Sequence, residues 1–102
     1  MTIVATTLIH PLPGAAWADV QKQIHKACEL VSKHGAENVT ALVNMIGGQA
    51  TNTLGILMTA ENWAKFGQVQ QAFLDDPETQ TLMLESGQIA TWENYVAQTI
   101  EV

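Results

Sequence analysis

His10 is the first side chain in this 102-residue chain that could move a proton at neutral pH, because histidine is the residue type suited to that work. It ends an apolar, β-branched run (Thr2 to Ile9) and precedes a Pro-Leu-Pro-Gly break, a position at the mouth of a loop. Tyr95 is the second candidate, the only tyrosine, set between Asn94 and Val96. As ligand-binding candidates the chain offers Asn44, Trp63 and Trp92. Asn44 stands among Leu42, Val43, Met45 and Ile46, where a buried amide needs either a protein partner or a ligand. The two indoles, with Tyr95, could wall an apolar cavity, and Asn94, Gln98 and Thr6 could aim polar groups into it; the plainer reading makes the rings core and interface anchors. Which of Asn94, Tyr95 and Gln98 share a face depends on a strand register that the residues leave open.

The remaining reactive types read as structural. His25 lies at the edge of a helical stripe, and His34 lies in its last turn, where a cation complements the helix dipole. Cys28 falls on the apolar stripe with no activating cation, so it reads as an inert thiol, and a lone cysteine closes no internal disulfide. No His-x-x-x-His or Cys-x-x-Cys spacing exists, and Asp75, Asp76 and Glu78 read as cap and helix-start charges, so no metal and no cofactor is expected.

These residues need elements to position them. Thr2 to Ile9 has strand composition, stopped by His10-Pro11-Leu12-Pro13-Gly14. From Ala15 to His34 the apolar period becomes 3.6, with Trp17, Val20, Ile24, Ala27, Cys28 and Val31 on one stripe and Gly35 ending the helix. Val39 to Ile46 and Thr53 to Thr59 read as a hairpin turning at Gly47-Gly48-Gln49-Ala50, with Gly55 marking a bulge or a close backbone approach. Thr59 is the expected cap of a second helix carrying Trp63, Phe66, Val69 and Phe73. Asp76-Pro77 then breaks it and starts a short third helix with Leu82, Met83 and Leu84 as its apolar body, ending at Gly87. Ile89 to Val102 reads as a long last strand.

The order is a single α+β domain, 1-102, of ferredoxin-like β-α-β-β-α-β type: a four-stranded antiparallel sheet with its helices on one face. In Val39 to Ile46 both alternating sets are largely apolar, whereas a sheet wetted on one side alternates cleanly. The open face is therefore expected to meet a second copy of itself, pairing as a dimeric α/β barrel with a cavity between the two sheets. Composition agrees: charged residues are 14% of the chain against about 25% in an average soluble domain. A net charge of −6, with four lysines and no arginine, argues against nucleic acid and anionic membranes as partners. With no basic leader and no long apolar run, a cytoplasmic protein is expected.

The sequence resembles the dimeric α+β barrel superfamily, which includes the antibiotic-biosynthesis monooxygenase-like proteins. The resemblance spans the chain in element order and length. Its local signal is Glu61-Asn62-Trp63 followed by Leu74, Asp76-Pro77-Glu78, Gln80 and Leu82. It implies a homodimer with a ligand cavity in each protomer, and no single reaction. Many oxygenase-like members carry a histidine on the second helix, and Phe66 to Asp76 contains none; haem-degrading members use an Asn, Trp and His set that Asn62 and Trp63 do not complete. Three functions remain: a cofactor-free, monooxygenase-like enzyme acting on a small apolar substrate in the inter-sheet cavity through His10, Asn44 or Tyr95; a non-catalytic small-molecule binding or sensing module; or a structural dimer.

Overall fold

The computed structural model describes residues 1–48 and 53–102. Its elements are β1 (Ile3–Pro11), α1 (Trp17–Lys33), β2 (Glu37–Val43), β3 (Leu54–Ala60), α2 (Trp63–Asp75), α3 (Pro77–Ser86) and β4 (Ala90–Gln98). The strands form one antiparallel sheet in the order β2-β3-β1-β4, the ferredoxin-like order, with three helices rather than two.

Register decides which side chains share a face, because successive strand residues alternate. Ile3, Ala5, Thr7 and Ile9 of β1 lie beside Ala60, Met58, Ile56 and Leu54 of β3 and beside Gln98, Val96, Asn94 and Trp92 of β4. This is the helix-covered side: Ile9, Leu54, Ile56 and Ala90 pack with Val20, Ile24, Ala27 and Leu30 of α1 and Leu82 of α3. The opposite side carries Val4, Thr6, Leu8 and His10, with Thr59, Leu57 and Gly55 of β3, Ala97, Tyr95, Glu93 and Thr91 of β4, and Thr40 and Leu42 of β2. None of the described elements covers it.

Several boundaries differ from their expected places for physical reasons. β1 runs through His10 and Pro11 because β3 has already stopped pairing at Ile9, and a proline at a strand end costs no ladder bond. β2 ends at Val43; Asn44 still returns a backbone bond to Thr53, but Met45 and Ile46 project outward. Gln49 and Ala50 of the expected turn lie outside the described residues. Thr59 stays in β3, and Asn62 caps α2 instead, its side chain accepting from the Lys65 N–H at 2.8 Å, so that Glu61 precedes the cap and lies outside the first turn. Gly55 marks no bulge: Leu42 lies over it, a Cβ there meeting Leu42 Cδ1 at 2.9 Å, and the irregularity falls between Glu37 and Thr40, where Asn38 is left-handed (φ 52°). Trp17 is half exposed rather than buried, because the buried stripe of α1 begins at Val20. Leu84, expected in the apolar body of α3, is exposed, as are Ile100 and Val102 beyond the end of β4. Gly35, at φ 102°, closes α1 as expected.

Asp76 joins the helices. It caps α3 by accepting from the Glu78 N–H at 3.0 Å, with Pro77 in the first helical position. Its other carboxylate oxygen accepts from His34 Nε2 at 2.8 Å and Lys33 Nζ at 3.1 Å, tying the end of α1 to the break between α2 and α3. The histidine bond, then the backbone bond and the lysine, hold this buried carboxyl down to about 2. His34 and Asp76 therefore serve the fold.

Candidate ligand-binding site

Between the helices and the covered side of the sheet lies a cavity of about 550 Å³, inside the range that holds small molecules. It exists because the middle of β1 is small. Ile3 and Ile9 are fully buried at its two ends, but Ala5 and Thr7 between them do not reach the helices. Nor does α2 fill the gap, since Val69 is its one buried residue. The walls are Val31 from α1, Phe66 and Phe73 from α2, Leu82 from α3, Ile56 from β3 and Trp92 from β4.

The polar groups at this cavity are uncharged. Thr7 and Asn94 face each other across β1 and β4, and the Thr7 hydroxyl donates to Asn94 Oδ1 at 2.7 Å. Gln70 and Ser86 stand at the helical side. Among the described residues no Asp, Glu, Lys or His lines it. Tyr95 borders it through its strand, but its side chain alternates to the uncovered face. Cys28 packs at the margin of the core, where burial pushes its thiol up and keeps it protonated.

The candidate site residues from sequence separate into four places. His10 and Tyr95 come together on the uncovered face, joined through Glu93: His10 Nε2 donates to one carboxylate oxygen at 2.8 Å and the Tyr95 hydroxyl donates to the other. The tyrosine bond first, then the histidine, holds the Glu93 carboxyl below its usual range, and Glu93 in turn pushes the Tyr95 hydroxyl up. A phenol so held stays protonated and acts as a donor. Trp92 walls the cavity, its Nε1 buried with no hydrogen-bond partner among the described residues. Trp63 opens α2, half exposed, donates to Gln98 Oε1 at 3.0 Å, and meets Phe66 edge to face with centroids 6.1 Å apart; it is one ring removed from the cavity. Asn44 answers to Thr53: its Nδ2 donates to the Thr53 hydroxyl at 2.9 Å, closing the hairpin. This cavity lies between helices and sheet, on the opposite side from the face where a second copy would close an inter-sheet space. Thr7 escapes sequence reasoning, and only register brings it to the site.

No family model matches the sequence, and no curated protein matches it. Solved structures do share its shape. SnoaB, a cofactor-independent oxygenase from Streptomyces nogalater, superposes with a TM-score of 0.75 over 99% of this chain and 95% of its own, at 12% identity. An uncharacterised NIPSNAP-like domain protein from Burkholderia xenovorans gives 0.74 over 97% and 85%, at 14% identity. A NIPSNAP family protein of unknown function from Agrobacterium tumefaciens gives 0.73 over 94% and 86%, at 15% identity. At such identities the likeness establishes the fold, that of the ferredoxin-like α+β proteins the sequence resembles.

Proposed function

We propose that this chain binds one small, uncharged, largely apolar molecule per protomer in the helix–sheet cavity, and does so as a homodimer joined through its uncovered sheet faces. The observation that carries the first half is the uncharged lining. A space of about 550 Å³ walled by Phe, Leu, Ile, Val and Trp gains from taking apolar surface out of water, and it offers no counter-ion to a charged ligand. Support for the second half is the composition of the uncovered face, where Val4, Leu8, Leu42 and Leu57 alternate with threonines and the His10–Glu93–Tyr95 group occupies one end.

Titration with a neutral solvatochromic dye, Nile red, tests the ligand half. Saturable binding near one dye per chain, competed by uncharged aromatics and not by carboxylates, is the expected result; a signal that never saturates removes the proposal. Light scattering at micromolar concentration tests the assembly, expected at about twice the 11.1 kDa chain mass.

A second reading has one observation in its favour, the shape shared with a cofactor-independent oxygenase. In it the bound molecule itself reacts with oxygen, one oxygen atom entering the substrate and the other leaving as water, with the substrate supplying the electrons. Because no acid or base among the described residues lines the cavity, the protein's part would be to hold and desolvate the substrate, while His10 and Tyr95 on the other face would act at the subunit contact. Ligand-dependent oxygen uptake without added flavin, haem or metal distinguishes it from binding alone.

A further inference from the structure

The cavity wall holds one polar pair whose chemistry restricts the ligand further. Thr7 and Asn94 are directly opposed on adjacent strands, one on each side of the β1–β4 ladder. The Thr7 hydroxyl has one hydrogen to give and gives it to Asn94 Oδ1 at 2.7 Å. That bond fixes the amide: a side-chain amide has a carbonyl end and an NH₂ end, and with the carbonyl end occupied the NH₂ end is what the pair presents. Asn94 Nδ2 has no partner among the described residues, and Asn94 lines the cavity near its opening, where the residue is exposed. The other amide of the wall, Gln70 on α2, has no hydrogen bond among the described residues to fix which end it presents. Phe66, Phe73, Leu82 and Ile56 carry no polar group, and the Ser86 hydroxyl is directed to the Met83 carbonyl at 3.5 Å. Trp92 Nε1 is sealed inside the wall and out of a ligand's reach.

Building on the proposal that the cavity holds an uncharged ligand, we infer that it selects an apolar molecule carrying a hydrogen-bond-accepting oxygen. A ketone, quinone or ester carbonyl is received by Asn94 Nδ2 while the rings and aliphatic side chains cover the rest. A carboxylate meets an uncharged wall and loses its hydration without an ion pair.

The test compares 9-fluorenone with fluorene, which share a tricyclic shape and differ in a carbonyl against a methylene, by isothermal titration at fixed protein concentration. Wild-type protein is expected to bind fluorenone about fivefold tighter than fluorene, the size of one neutral hydrogen bond at a partly wetted site. In Asn94→Leu the preference falls to about one while fluorene still binds. In Thr7→Val, which frees the amide to turn, it falls part of the way. Fluorene-9-carboxylate is expected to bind at least tenfold more weakly than either. Equal affinity for the two neutral probes in wild type, or a preference kept in Asn94→Leu, overturns the inference and leaves the cavity reading standing. No saturable binding of either neutral probe overturns both.

Discussion

Leu82→Ala should cost less than the same kind of truncation elsewhere in the core, because Leu82 already borders empty space. Leu82 is 3% exposed and packs from α3 onto the sheet, and it is also a wall of the cavity. Truncation removes three carbons, about 2.4 kcal/mol at ~0.8 kcal/mol for each buried methylene-sized group. In a closed core a further penalty follows from the new void, which takes such changes up to about 5 kcal/mol. Here the lost volume merges with a space that already exists, so the expectation is about 2.5 kcal/mol. Ile9 supplies the contrast: it is fully buried, sits in the same cluster and does not line the cavity, so Ile9→Ala should cost about 3.5–4 kcal/mol. Urea unfolding followed by far-ultraviolet circular dichroism measures both. With a slope of about 1.5 kcal/mol per molar, the midpoints should fall by about 1.7 M and about 2.5 M at unchanged slope and equal protein concentration. A Leu82 variant as costly as the Ile9 variant would mean that Leu82 stands in closed packing, and that no open space adjoins it.

Asp76 sets the acid limit. Its folded carboxyl sits at about 2, below the ~3.9 of an unfolded chain, so its stabilisation is complete above the unfolded value and drains away as pH falls through the folded one. Asp76→Asn should therefore lower the melting temperature at pH 7 and flatten its decline between about pH 5 and pH 2; a decline as steep as wild type would assign acid sensitivity elsewhere. Gly35→Ala should destabilise by about 1–3 kcal/mol, since φ is +102° and the new Cβ would sit 3.3 Å from Lys65 Nζ. Gly55→Ala should stay within about 0.5 kcal/mol, because the atom it meets is the free end of the partly exposed Leu42, which can swing away; chemical denaturation of the two variants side by side checks both. Leu57→Lys, in the middle of the uncovered face, should halve the light-scattering mass if that face joins two copies, with the circular dichroism spectrum unchanged.

Much of the fold is legible in the sequence because local chemistry and global packing agree. The 3.6 period from Val20 to Val31, Gly35 beyond it and Asp76-Pro77 at the second break each state one conformation, and the structure adopts it. Thr59 misleads because a threonine before Glu61 has the chemistry of a cap, and its pairing with Val4 of β1 and Glu37 of β2 keeps it in the strand. Asn44 stands out as an amide among apolar neighbours, and its answer, Thr53, lies across a turn that sequence does not measure. The side of the sheet that holds the cavity is hidden for a similar reason. Composition tells that β1 is apolar on both faces; which of Ala5, Thr6, Thr7 and Leu8 look toward the helices is a matter of register, fixed by the pairing with β3 and β4 along the whole strand.

β4 lies at the sheet's edge and is held by β1 alone. Trp92 and Asn94 point one way from it, Glu93 and Tyr95 the other. A slide of a single residue along β1 would carry an acidic group into the greasy interior and turn the indole outward, so a molecule in the cavity and a neighbour at the far surface would each hold the strand to one alignment. Whatever fills the interior would thereby steady the outer surface, and a neighbour pressed against that surface would tighten the grip on the molecule within.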